Sequence, residues 1–147
     1  EGNVYFNVGQ YALAIERYSR AAELDPSLIA AYYNRANART RAGEFELALA
    51  DYDRALNLQP GDADALNNRG MLHLDRTNYA AALRDFNSAL VADPSDTTVM
   101  VNRGLANLHG GNPQSALDDF HRATAADEHD AAAHYGVLKA AFPASET

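Results

Sequence analysis

Cysteine is missing from the sequence altogether, which excludes a disulfide framework and a thiolate zinc site while leaving the compartment open. Positive charge is scarce. Twelve Lys and Arg stand against twenty Asp and Glu, a formal charge of −8, and Lys139 is the only lysine. A nucleic-acid binder needs a basic face to neutralise phosphates, and attachment to an anionic membrane surface needs the same, so the balance argues against both. No apolar run approaches the ~20 residues of a membrane span, which argues against insertion. Enzyme signatures are lacking too: there is no phosphate-binding glycine loop, no HExxH and no GxSxG. The five histidines are scattered, and Asp127, Glu128, His129 and Asp130 are neighbours in one loop, which rarely converge on a cation. The sequence therefore implies no metal, no cofactor and no catalytic residue.

What is abundant is self-similarity. Residues recur at a step of 34: Ala36, Gly70 and Gly104 share one small-residue slot. Ala14, Ala48, Ala82 and Ala116 share a second, and Ala21, Ala55, Ala89 and Ala123 a third. Tyr18, Tyr52, Phe86 and Phe120 form an aromatic column beside the aliphatic column Ile15, Leu49, Leu83 and Leu117. Ala48, Leu49, Tyr52, Ala55 and Leu56 fall on one face of a 3.6-residue period, so each unit is helical and the chain all-α. Pro26, Pro60 and Pro94 follow the second helical run of each unit, where a residue without N–H and fixed in φ cannot continue a helix. The small slots predict close backbone approach, Gly70 against Ala82, and the aromatics fill the space between hairpins. A single hairpin cannot bury its own apolar face, so the units must stack into a solenoid.

Over nearly its whole length the sequence resembles the tetratricopeptide-repeat (TPR) family, whose 34-residue unit these columns match. The resemblance implies a right-handed superhelical solenoid of antiparallel helix pairs in a single domain, 1–147. Its units are 1–28 (partial), 29–62, 63–96 and 97–130, followed by a capping helix over 131–142. Nine helices are expected, the first partial because Glu1 falls halfway along it. That abrupt start, without initiator methionine or signal-peptide pattern, reads as a fragment or processed form, with the cytoplasm the favoured location. Asn78 and Asn112 stand where helix N-caps are wanted, with Pro113 in the first turn of the following helix.

Two facing slots depart from the family pattern together. Where leucine and tyrosine are usual, this chain carries Arg35, Arg69 and Arg103 opposite Asp51, Asp85 and Asp119. We read these as structural ion pairs between the two helices of each hairpin. Glu1 and Arg17 repeat the pairing with exchanged signs in the first unit.

The resemblance also implies that the first helix of each hairpin lines a concave groove. Asn34, Asn68 and Asn102 share one slot there, and each amide offers the donor and acceptor that a peptide unit requires. Asparagine is a mediocre helix former, so three of them in mid-helix call for a reason. An asparagine ladder of this kind is similar to that of the sugar transferase that modifies serine and threonine with N-acetylglucosamine. Tyr33 and Asn37 line the same face, as do the apolar Met71, Leu74, Val101, Leu105 and Leu108, a cluster suited to a partner surface. The family's clamp for chaperone C-terminal carboxylates is not expected. Tyr33 and Thr98 occupy its cationic slots in one register, and Asp64 replaces a lysine in the other. The sequence thus reads as a non-enzymatic scaffold for a protein or peptide segment. Its alternatives are a self-association module, a second copy covering the truncated first unit along 11–24, and a regulatory or accessory domain of a larger enzyme or complex.

Overall fold

The computed structural model describes residues 10–142. They form eight helices: α1 (Gln10–Leu24), α2 (Ile29–Ala42), α3 (Phe45–Leu58), α4 (Ala63–Asp75), α5 (Tyr79–Ala92), α6 (Thr97–His109), α7 (Pro113–Ala126) and α8 (Ala131–Ala141), with no strand among the described residues. The partial first helix and Glu1, the partner expected for Arg17, lie outside the described residues.

Helix starts repeat with the 34-residue step. Asp62, Asp96 and Asp130 cap α4, α6 and α8, their side chains accepting from Ala65 N at 2.9 Å, Val99 N at 3.1 Å and Ala132 N at 2.9 Å. Each such cap contributes about 1 kcal/mol by satisfying an otherwise orphaned amide. Asn78 caps α5 through Ala81 N, but Asn112 makes no side-chain cap bond. Pro113 constrains the residue before it, and the Asn112 backbone is more extended (φ −113°) than that of Asn78 (φ −86°). Between the helices of each hairpin one slot is left-handed: Gly43 at φ +80°, Thr77 at +60° and Gly111 at +84°. The β-branched Thr77 is strained there, whereas the two glycines are not.

Successive helices pack pairwise. The even-numbered helices also meet one another, α2 with α4, α4 with α6 and α6 with α8, whereas α3, α5 and α7 do not. The even layer is therefore the shorter, inner side of a curved stack. Tyr52, Phe86 and Phe120 are fully buried between the layers. The small slot serves these rings rather than the facing backbone at Ala82. A Cβ on Gly70 would stand 2.7 Å from Phe86 Cε1, and one on Gly104 2.6 Å from Phe120 Cε1. Gly136 on α8 approaches the same Phe120 ring from the next unit, so this ring sits between two glycines.

Candidate binding groove

Each conserved-by-repeat arginine joins three elements. Arg35 Nε and Nη2 donate to the Asp51 carboxylate at 2.8 and 2.6 Å, and Arg69 meets Asp85 through the same atoms at the same distances. Arg103 Nε reaches Asp119 Oδ2 at 3.0 Å, again with Nη2 as the second donor. These fork-to-fork pairs are charge-assisted, and the three aspartates are among the buried residues. The Asp hydrogen bond is the main cause that raises the guanidinium pKa of Arg35 and Arg69, with burial opposing it. The third donor, Nη1, crosses to the preceding hairpin: Arg35 to Ser19 Oγ, Arg69 to Asp53 Oδ1, Arg103 to Asn87 Oδ1. The pairs thus staple hairpin to hairpin as well as helix to helix. Ser19, Asp53 and Asn87 share one slot of the repeat, and each supplies the acceptor.

A further slot places a second polar group beside each aspartate. Arg39 Nη1 lies 2.7 Å from Asp51, His73 Nε2 4.0 Å from Asp85, and Asn107 Nδ2 3.3 Å from Asp119. Burial lowers the His73 pKa, with the Asp85 carboxylate pulling the other way.

The groove residues lie on the inner layer. Tyr33, Asn34, Asn37, Asn68, Met71, Leu74, Asn102, Leu105 and Leu108 are all half-buried. Tyr33, Asn37 and Asn68 are brought into one network. Asn68 Nδ2 donates to Tyr33 Oη (2.9 Å) and to Asn37 Oδ1 (3.1 Å), and Tyr52 Oη donates to that same Asn37 oxygen (2.5 Å). Burial pushes the Tyr52 hydroxyl up to about 12. One repeat on, Asn102 Nδ2 donates to Asn67 Oδ1 at 2.9 Å, the counterpart of the Asn68–Tyr33 bond. The asparagines therefore spend amide donors between neighbouring helices, while Asn34 has its equivalent slots outside the described residues. The Tyr52 hydroxyl is the member whose part in the network the aromatic column alone does not show. The signal it leaves is the change from Tyr to Phe along that column, which names no partner.

Asn37, Thr40, Arg41, Tyr52, Asn68, Met71 and Asp75 surround a concavity between α2 and α4. Met71 and Leu74 pack on the core around Phe86, and Leu105 and Leu108 on that around Phe120. No helix among the described residues is long and apolar enough to cross a membrane.

Curved stacking of helical hairpins, stapled through every repeat, defines an α-solenoid. The family model described as Tetratricopeptide repeat matches residues 33–97 and 67–131, and a second, described as TPR repeat, matches 2–41. The chain belongs to the tetratricopeptide-repeat family. Similar solved structures include MamA 41-end from Desulfovibrio magneticus RS-1, with 20% identity, a TM-score of 0.84 and coverage of 90% of this chain and 75% of that one. YrrB, described as a TPR protein with an unusual peptide-binding site, is 28% identical, with a TM-score of 0.76 over 86% of this chain and 65% of that one. The first TPR of Spaghetti (RPAP3), bound to an HSP90 peptide, has 19% identity and a TM-score of 0.74 over 77% and 90%. The comparison with curated proteins found no match.

Proposed function

We propose that this chain is a non-enzymatic scaffold that holds a segment of another protein in the groove lined by α2, α4 and α6. The observation that carries the reading is the combination, on one concave surface, of half-buried amides and half-buried aliphatic side chains. The amides retain hydrogen-bonding capacity after their internal bonds are made: Asn68 has committed both N–H groups but keeps its carbonyl oxygen. That YrrB is described as peptide-binding supports the same reading. Asn34→Ala, Asn68→Ala and Asn102→Ala should each weaken segment binding by about 0.5–1.5 kcal/mol where a peptide hydrogen bond is lost. Circular dichroism should show helicity unchanged. Neutral groups and apolar contacts carry the affinity, so it should change little between low and physiological salt. Binding untouched by all three substitutions, or falling steeply with salt, would move the site elsewhere.

Self-association is the second reading. Leu24 on α1 is 71% exposed and Leu13 is exposed on the same helix, an apolar surface that a second copy would cover. Sedimentation velocity over a hundredfold concentration range separates the two readings, since the scaffold reading expects a monomer.

A further inference from the structure

The groove changes chemistry at one step of the repeat. In α2 two of its slots hold Asn37 and Thr40; the same slots hold Met71 and Leu74 in α4 and Leu105 and Leu108 in α6. The aromatic beneath changes in concert, from Tyr52, whose hydroxyl Asn37 accepts, to Phe86 and Phe120, which need no acceptor. Three slots change together, so the polarity switch belongs to the groove surface and to the core behind it alike.

Hydrogen-bond direction fixes what the polar end offers. Tyr33 accepts from Asn68, so its own proton is left to donate; Asn37 accepts twice, so its amide N–H groups are left to donate; Asn68 is left with an acceptor oxygen. Donor beside acceptor is the complement of a peptide unit. Asn102 and Asn67 offer the same pairing one repeat on. Packed helices lie roughly 8–10 Å apart and an extended chain rises about 3.3 Å per residue, so successive rungs are about three residues apart along a ligand.

Charge selects further. Asp75 shares its concavity with the exposed Arg41, so the acidic charge that α4 sets at the polar end of the groove is the exposed Asp64. Asp64 adjoins Ile29, Ala30, Tyr33 and Asp62 at the polar end, where a ligand carboxylate would meet two carboxylates.

We infer that the groove is a two-part site for an uncharged or basic extended segment, read through backbone amides at the Tyr33–Asn68 and Asn67–Asn102 rungs and anchored by an aliphatic or aromatic side chain on Leu74, Leu105 and Leu108. This rests on the scaffold reading above and adds to it the ligand's chemistry and the placing of its anchor. Apolar anchors seated in a groove dominate such affinities, while the acidic rim discriminates against acidic sequences.

The test is panning of a random twelve-residue peptide library on the purified chain and three variants. The chain should enrich sequences with an aliphatic or aromatic residue at a fixed position and without Asp or Glu. Leu105→Asn with Leu108→Thr gives α6 the slot residues of α2 and should lower the affinity of the enriched peptides about tenfold or more. Asp64→Lys, at an exposed position whose change does not touch the core, should admit acidic peptides. Enriched peptides that lose affinity with Asn68→Ala but ignore both other variants, or that are acidic from the outset, overturn the two-part site and leave the scaffold reading standing. Failure to enrich any peptide sensitive to a groove substitution overturns both. If the double variant does not fold, the Asp64→Lys selection decides alone: an unchanged preference overturns the inference.

Discussion

Hairpin α2/α3 and hairpin α6/α7 are built on the same slots with different chemistry. In the first, a buried carboxylate (Asp51) takes two arginines, and a buried tyrosine (Tyr52) takes an asparagine oxygen. In the second, the carboxylate (Asp119) takes one arginine and an amide, and a phenylalanine (Phe120) lies among apolar residues. Polar groups are thus added or removed as pairs. A lone buried donor or acceptor costs the full penalty of its desolvation, whereas a pair exchanged for an apolar pair is nearly neutral.

The largest expected effect breaks the comparison at the carboxylates. Asp51→Leu strands Arg35 and Arg39, whose side chains are only 15% and 16% exposed, and should cost about 3–5 kcal/mol in urea denaturation. Asp119→Leu strands one arginine, Arg103, of similar exposure (18%), with the neutral Asn107 amide beside it, and should cost about 1–3 kcal/mol. Equal losses would show that the second donor contributes nothing.

Next in size is the small slot. Gly104→Ala drives a methyl into Phe120 and should destabilise by about 1–3 kcal/mol, less up to about 1 kcal/mol gained in helix propensity. Ala36, which already fills the equivalent slot of the first hairpin, should on change to Gly lose only about 1 kcal/mol of propensity plus a small packing loss. If Gly104→Ala stabilises the chain, the ring contact is not limiting.

A third prediction converts one hairpin toward the other. Tyr52→Phe removes a donor from Asn37 and should cost about 0.5–1.5 kcal/mol; Tyr52→Phe with Asn37→Leu should recover most of it. Because burial favours the neutral hydroxyl, the folded chain holds its proton to about pH 12, while the unfolded chain releases it near pH 10. Stability from this group is therefore complete below pH 10 and falls as pH rises from there to about 12. A tyrosine absorbance titration should show one late-titrating group that disappears in Tyr52→Phe.

The smallest effect concerns His73, the middle member of the Arg39, His73, Asn107 series. Its folded pKa is lowered, chiefly by burial, so the unfolded chain binds the proton more readily. Stability should decline as pH falls below 6.5, toward the lower folded value. His73→Asn, the residue of the last hairpin, should flatten that part of the pH profile. An unaltered profile would assign the acid sensitivity to other groups.

Much of this was legible without coordinates. The aromatic column, the small slots and the Arg–Asp slots are all visible because one physical demand repeats at one spacing. The caps at Asp62, Asp96 and Asp130 repeat as regularly, but an aspartate acts as a cap only where the helix behind it begins, whereas a proline marks a helix end by its own ring. Asn112 failed as a cap because a side-chain bond depends on the backbone angle before Pro113, which residue identity alone does not give.

By itself the sequence determined the repeat, the helical class, the pairing of Arg35, Arg69 and Arg103 with the aspartates sixteen residues on, and the face on which the asparagines lie. Tertiary structure decided the rest. It put each Nη1 on the preceding hairpin, turned the small slots toward rings instead of backbone, and committed Asn68 and Asn102 to neighbouring helices before any ligand arrives. Periodicity fixes which side of a helix a residue occupies, because it follows from the backbone alone. The distances between helices follow from how all the side chains pack at once, and on those distances depends which of several equivalent partners a hydrogen bond finds.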